Sequence, residues 1–433
     1  VDVPPPPAPP PGVRALDVLA YGSREAARKA WRPASRNDAA GIPVAAECTA
    51  PVEPLVLGGK PVLRFPCNYA ETTTPRAYWD CDLDVDLTCA TAVVFDVYAE
   101  GLAAVGAINL YVRSGEGWYG ATWYPQQEGS WCRVRIPKGD FTVDKAGAGW
   151  ARVNGLRLSP WAAKREDAAL CLANLAVEQG DGRALIVTSE TAFSLAGTVH
   201  ALLDKAGLPL PVIALQDLTP ALLARARLVI VPNGEKMDSA PAGALADFVQ
   251  RGGRLVAAFT VPPDLAGLLG VKQLGYRPQA YPGEFSSIRF AETPPAGVPA
   301  TINQVSWAVN HSQPVAGGGR VAAWWYDAQG KRTDAPAIIT SRNGAWISHV
   351  ILKDDPEAKA ALLLELAAQA LPDLRRQACL RRLALLGTDV DGTGWDAALR
   401  QTAALPEFAR TTAPAALAEA QAAAGRAQAA AAR

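Results

Sequence analysis

The stretch from residue 183 to about residue 269 limits the fold more than any other part of this chain. Short apolar runs at 184–188, 211–215, 228–232 and 255–260 alternate with segments of helical period at 192–206, 218–225 and 240–250. Gly207 and the pair Gly252-Gly253 stop two of those helices. Apolar runs of about four to eight residues can be buried on both faces, and the helices between them supply the cover. The pattern therefore predicts a parallel sheet with helices on both sides.

At 433 residues the chain is too long for one core, and two or three domains are expected. Lys+Arg and Asp+Glu are both 42, so the formal net charge is zero. That balance argues against a nucleic-acid partner or an anionic membrane surface. No apolar run reaches the roughly 18 residues that a membrane-spanning helix needs. The chain opens on Val1, and its one methionine is Met237. This fits an exported chain whose leader has been removed, secreted or periplasmic, and it fits a cloned piece equally. The seven cysteines lie mostly in the first 171 residues without any C-x-x-C spacing, which speaks against zinc. Two readings stay open: one or two disulfides among Cys48, Cys67, Cys81 and Cys89, or buried thiols.

In chain order, residues 1–14 carry a proline run, Pro4 to Pro11 with Ala8 as the one exception. It reads as an extended, semi-rigid linker. Residues 15–180 differ from the α/β stretch. Strand-like runs recur at 61–65, 92–98, 107–112, 117–124, 131–136, 153–158 and 169–177, separated by Gly, Pro, Asp and Ser. Many short strands at near-regular spacing predict an antiparallel sandwich or jelly roll. The α/β region extends over 181–374, where Asp355 reads as the N-cap of a final helix with Pro356 at its first position. Residues 375–433 form an alanine-rich helical tail with a weak apolar stripe at Leu417, Ala420 and Ala424.

The order of motifs in the first region carries a resemblance. Asp82-Leu83-Asp84-Val85-Asp86-Leu87 leads into Val93-Val94-Phe95-Asp96-Val97-Tyr98. Gly117-Trp118-Tyr119, Trp131-Cys132-Arg133-Val134-Arg135-Ile136-Pro137-Lys138, Gly149-Trp150 and Leu156-Arg157-Leu158-Ser159 follow. Residues 50–178 resemble the galactose-binding-like β-sandwich shared by many carbohydrate-binding modules. Residues 183–374 resemble class I glutamine-amidotransferase-like domains, which are flavodoxin-like and include the trimerisation domain of some β-galactosidases. The domain order is similar to the N-terminal half of large exported bacterial proteins with a family-ten-like glycosyl-hydrolase barrel. No barrel fits here, since one needs about 250 residues. Sandwiches of this type often hold a structural calcium, but no oxygen-rich loop stands out as its site.

A working amidotransferase needs a cysteine on a tight strand-to-helix turn, a histidine base and an orienting carboxylate. The turn after the run 255–259 offers Thr260-Val261-Pro262-Pro263, and no cysteine lies between Cys171 and Cys379. His200 reads as a solvated or cap-side residue, and His349 as a structural one among strand residues. Glu190 and Glu235 follow the first and third apolar runs, where α/β folds place ligands. They are weak catalytic candidates together with His349, and solvated loop residues otherwise. No G-x-G-x-x-G or Walker motif occurs. The triplet Gly317-Gly318-Gly319 reads as a flexible turn.

Aromatic residues of the sandwich are the remaining signal. Sugars present C–H faces that stack on indole and phenol rings. Alternation puts Trp118 and Tyr124 on one side of a strand and Tyr119 and Trp123 on the other, so one pair can be core and the other exposed. The candidate carbohydrate-binding set is Trp118, Tyr119, Trp123 and Tyr124 with Arg113 and Gln126. Trp131 and Trp150 read as core. The expected chain is a carbohydrate-binding or scaffolding portion of an exported glycoside-hydrolase-type protein, without catalysis, cofactor or metal of its own. The alternatives are a hydrolase with its site at the carboxyl rim of the α/β sheet, and a homo-oligomerisation module, the latter by fold analogy.

Overall fold

A computed structural model of the chain describes residues 3–9, 12–37, 43–45, 47–70, 72–145, 147–189, 193–295 and 297–386. They fall into two compact units, Val1–Gly180 and Asp181–Arg433. Among the described residues the first unit holds fourteen strands. These are β1 (Val13–Ala15), β2 (Trp31–Pro33), β3 (Ser35–Asn37), β4 (Pro43–Ala45), β5 (Glu53–Leu57), β6 (Lys60–Cys67) and β7 (Trp79–Val85). After them come β8 (Ala90–Glu100), β9 (Val105–Ser114), β10 (Gly117–Trp123), β11 (Trp131–Pro137), β12 (Thr142–Lys145), β13 (Val153–Ala162) and β14 (Ala168–Gln179). Helix α1 (Arg24–Ala30) precedes β2, and its N-cap Ser23 accepts a hydrogen bond from the Ala26 N–H at 3.1 Å.

Two antiparallel sheets stack face to face. One runs β11-β8-β14-β6-β5, with β1 added on β14; the other runs β12-β10-β9-β13-β7-β2. Alternation explains the core. Leu63, Phe65, Phe95, Val97, Leu170 and Leu172 point inward from the first sheet, and Leu110, Val112, Tyr119, Trp123, Leu156 and Leu158 from the second. Phe65 is fully buried, edge-on to Trp31 and Trp79 at centroid distances of 5.1 and 5.3 Å. Burial raises the Cys67 thiol to about 12 and the Cys81 thiol to about 11, so both are inert packing groups.

Residues 3–9 of the proline-rich segment, expected as a linker, lie instead against the outer face of the first sheet. Val3 packs with Val62, Cys171, Ala173, Leu55, Leu57, Tyr98 and Trp131. Proline lacks an N–H and cannot join a ladder, so side chains hold the segment through its carbonyls. Trp131, expected in the core, is on this face, with its indole N–H on the Pro4 carbonyl at 2.7 Å.

In the second unit the strands are β15 (Ala184–Thr188), β16 (Val212–Ala214), β17 (Leu228–Val231), β18 (Arg254–Ala258), β19 (Val271–Pro278), β20 (Phe285–Phe290), β21 (Thr301–Ser306), β22 (Ala308–Pro314), β23 (Gly319–Tyr326), β24 (Arg332–Ser341) and β25 (Gly344–Ile347). The helices are α2 (Phe193–Lys205), α3 (Pro220–Arg225), α4 (Ser239–Gln250), α5 (Pro263–Leu268), α6 (Pro356–Ala370) and α7 (Asp373–Leu386). One nine-stranded sheet runs β16-β15-β17-β18-β25-β24-β23-β20-β21, and β19 and β22 form a separate ribbon. Strands β16, β15, β17, β18 and β25 are parallel. Ile186, Ile230 and Val256 pack with Val199 and Leu203 of α2 and Leu363 and Leu366 of α6. Leu185, Val229 and Leu255, which alternate with them, are equally buried, so both faces of the parallel half are covered.

The sheet departs from the expected parallel one in its other half, where β24, β23, β20 and β21 are antiparallel. The reason is connection length. Strands β23 and β24 meet through a turn in which the Asp327 carboxylate accepts from the N–H groups of Gln329 and Lys331, at 3.0 and 2.8 Å. So short a link returns the chain antiparallel; a parallel return needs a crossover. Asp355 is the N-cap position of α6 but does not cap with its side chain. Its backbone is left-handed, and its carboxylate accepts from the Asn303 N–H of edge strand β21 at 2.7 Å. The helical expectations at 394–403 and 413–432 lie outside the described residues.

Replacing Phe65 by Ala removes a ring held between two tryptophans. It is expected to lower sandwich stability by about 3–5 kcal/mol, read as a shift of the denaturant midpoint at unchanged slope.

Candidate functional site

The carboxyl rim of a parallel sheet is where α/β folds gather ligands. Here β17 runs into Asn233-Gly234-Glu235, β18 into Phe259-Thr260, and β25 into Ser348-His349. Glu190 lies outside the described residues. The corner after β18 is strained. Phe259 has φ 59°, and its N–H donates to the Ile347 carbonyl at 2.8 Å. A bulky residue in that region is an outlier. A sharp strand-to-helix corner is also where an α/β fold can expose a nucleophile. The strained position carries a benzyl group, which has no nucleophilic atom.

Thr260 is one residue further on. Its hydroxyl accepts a hydrogen bond from Asn310 Nδ2 at 3.2 Å, and Asn310 Nδ2 also donates to Gln273 Oε1 at 3.1 Å. These partners are amides, and neither can act as a base. Glu235 is exposed, in a turn closed by its own N–H to Asn233 Oδ1 at 3.1 Å. His349 is 2% exposed, edge-on to Trp325 at 4.9 Å. Burial, with Lys359 repulsion second, lowers its pKa to about 3, so the ring is neutral at physiological pH. No hydrogen bond joins Thr260, Glu235 and His349 among the described residues. His200, expected to be solvated, is 1% exposed, with Nδ1 2.8 Å from the Leu210 carbonyl.

The outer face of the second sandwich sheet is different. Strand β10 turns Tyr119 and Trp123 inward, 3% and 6% exposed, where no ligand reaches them. It turns Trp118 outward. Trp118 meets Tyr111 of β9 edge-on at 6.2 Å, and the Arg157 guanidinium of β13 lies 4.4 Å from its ring centre. The Arg113 guanidinium is 5.7 Å from the same ring. A second cluster joins the first. Arg76 lies over Trp161 at 4.6 Å and beside Tyr78 and Tyr111 at 5.4 and 5.6 Å.

Polar contacts fix these groups. Arg157 forms a two-point pair with Asp80, Nε at 2.6 Å and Nη2 at 2.7 Å. Arg113 donates to Asp82 at 2.7 Å and to Asn154, and Arg76 Nε donates to Ser159 at 2.6 Å. The Trp161 indole donates to Asn109 Oδ1 at 2.9 Å, and Asn109 Nδ2 to Thr122 at 2.6 Å. Arg113, then Arg32, holds the Asp82 carboxyl below the usual carboxylate range. Two glycines keep the face flat. A Cβ at Gly120 would sit 2.6 Å from the Tyr111 ring, and one at Gly155 would sit 2.9 Å from the Arg113 guanidinium. Tyr124, 58% exposed, and exposed Gln126 lie in the loop after β10.

Of the expected set, Trp118 and Arg113 therefore share this face. Arg76, Tyr111, Arg157 and Trp161 were not in the expected binding set, although the outward positions of β9 and β13 spell Asn109, Tyr111, Arg113 and Arg157, Ser159, Trp161 at period two. Among the described residues no three His, Cys, Asp or Glu side chains gather as a metal site.

No protein-family model matches this chain, and no curated protein does. Solved structures give partial likenesses. A β-galactosidase from the Antarctic haloarchaeon Halorubrum lacusprofundi is 14% identical at TM-score 0.34, over 44% of this chain and 31% of that one. A putative ThuA-like protein from Bacteroides uniformis is 13% identical at TM-score 0.36, over 43% and 90%. The family 11 carbohydrate-binding module of a Clostridium thermocellum cellulosomal cellulase is 12% identical at TM-score 0.28, over 39% and 95%. This chain thus spans under a third of the β-galactosidase.

The depressed His349 pKa sets a pH dependence. The unfolded ring binds a proton below its ordinary value of 6.5, and the folded one only below about 3. Stability of the second unit should therefore fall as pH drops from 6.5 toward 3. His349→Gln should remove that slope between about pH 6.5 and 5, where carboxylates do not yet titrate, as read by denaturant melts at each pH.

Proposed function

We propose that this chain is a carbohydrate-binding, non-catalytic portion of an exported glycoside-hydrolase-type protein, and that it binds glycan on the outer face of the second sandwich sheet. The observation that carries the reading is the continuous cluster of Trp161, Tyr111, Arg157, Trp118 and Arg113 on β13, β9 and β10 with Arg76 from the segment before β7. Rings offer stacking surface to the C–H faces of a sugar. The arginines, Asp80, Asp82 and Asn109 offer donors and acceptors to its hydroxyls. Both are held by a network that loses little freedom when a ligand arrives.

The second unit is read as flavodoxin-like and amidotransferase-like, with its reactive corner lost. Its parallel strands follow the order β16-β15-β17-β18-β25, and the strained position holds Phe259. A scaffolding role follows from this reading. Glutamine incubated with the protein should release no ammonia above the spontaneous rate. Release that Thr260→Ala abolishes would overturn the reading.

The binding reading is tested by affinity electrophoresis against soluble polysaccharides and by a glycan array. A retained glycan should lose affinity by about tenfold or more with Trp118→Ala and with Trp161→Ala, while Tyr124→Ala changes it less. Absence of retention on every polysaccharide would overturn it.

A further inference from the structure

The outer face of the first sandwich sheet is covered by residues 3–9 of the chain itself. Within residues 3–9, Val3 and Pro6 are buried and the others are exposed. Burial of two positions three apart is the repeat of a polyproline-II helix, which has three residues per turn. The segment has few N–H groups to donate, so a receptor must read its carbonyls. Four side chains do so. Trp131 Nε1 donates to Pro4 O at 2.7 Å, Lys60 Nζ to Pro6 O at 2.7 Å, Asn174 Nδ2 to Pro7 O at 2.9 Å, and Arg133 Nη2 to Ala8 O at 2.6 Å.

Two of these donors are set in place by the protein beneath them. Asp96 of β8 is 0% exposed. Its carboxylate accepts from Arg133 Nε at 2.9 Å and from Asn174 Nδ2 at 2.6 Å. Asn174 has φ 53° and lies where the register of β14 against β8 shifts. Asparagine tolerates that conformation, and an irregularity of this kind re-aims a side chain. The apolar part is equally specific. Trp131 and Tyr98 tilt against each other at 5.8 Å beside Val3. Gly58 lets Pro5 approach, since a Cβ there would lie 2.7 Å from the proline ring.

We infer that this face is a receptor groove for proline-rich polyproline-II peptides, occupied in cis by residues 3–8 and open to such a peptide in trans when that segment is displaced. Aromatic walls with carbonyl-reading donors are the general solution for binding such a helix, whose fixed φ values lower the entropy lost on docking. The tethered segment competes at an effective concentration of about the millimolar range. A trans peptide should therefore bind weakly to the unaltered chain and more tightly once the resident segment is weakened.

The test uses the full chain and a fluorescent peptide with the sequence of residues 3–9. Val3→Asp with Pro6→Gly loosens the resident segment and leaves the groove whole. Peptide anisotropy should then rise saturably on this variant. About tenfold more of the unaltered chain should be needed for the same rise. Adding Asn174→Ala, or Trp131→Phe, which keeps a ring but removes the indole N–H, should abolish the tighter binding. A Gly/Ser peptide of equal length should not bind. Binding to the loosened variant that equals the Gly/Ser control, or that survives both Asn174→Ala and Trp131→Phe, would overturn the proposal.

Discussion

A β-strand covered on one face can hide only every second side chain, and the first unit depends on how that rule is met in both of its sheets. In β10, Tyr119 and Trp123 go into the core, which forces Trp118 out. In β9, Leu110 and Val112 go in and Asn109, Tyr111 and Arg113 come out; in β13, Leu156 and Leu158 go in and Arg157 and Ser159 come out. Outward aromatic rings exposed at random would be a liability. Here arginines lie against them, with Arg157 and Arg113 paired to Asp80 and Asp82 and Arg76 bonded to Ser159. The first sheet meets the same problem differently. Its outward Val62, Cys171 and Ala173 are covered by the proline segment.

The second unit rests on one corner. A left-handed Phe259 ends β18 and docks its N–H on β25. Strain at such a corner persists only where the surroundings over-determine it. Here the β18–β25 pairing and the amides of Asn310 and Gln273 supply that constraint. Phe259 itself carries no nucleophilic atom, His349 is enclosed, and Glu235 faces solvent.

Much of this was legible in the sequence, and most of the rest depends on contacts between residues far apart in the chain. The apolar runs at 184–188, 228–232 and 255–260 and the helices between them correspond to β15, β17, β18, α2 and α4 because fully buried strands need continuous apolar runs. Strands β6, β8, β9, β10, β11, β13 and β14 were readable as short strand-like runs set apart by Gly, Pro, Asp and Ser. Strand β7, reading Trp79-Asp80-Cys81-Asp82-Leu83-Asp84-Val85, was not read as one because its outward positions are all acidic. The aromatic face was half legible. Trp118 and Arg113 stand out within one hairpin, whereas Arg157 and Trp161 join them through the pairing of β13 with β9, and Arg76 through Ser159, 83 residues further on. The docked proline segment was invisible for the same reason. Composition shows that the run is extended, and only long-range contacts from Lys60, Trp131, Arg133 and Asn174 show that it is held.

On the proposed reading, ligand meets the outer face of the second sheet and leaves the core and the α/β rim untouched. The chain has 12 tryptophans, and each indole N–H is a separate reporter. The most direct measurement is an indole ¹⁵N–¹H spectrum of the full chain, assigned by single substitutions and recorded across a titration with soluble oligosaccharides. The account predicts that the Trp118 and Trp161 signals move together and saturate, while those of Trp31, Trp79, Trp325 and Trp346 stay in place. Saturable shifts confined to tryptophans of the second unit, with Trp118 and Trp161 unmoved, would contradict it.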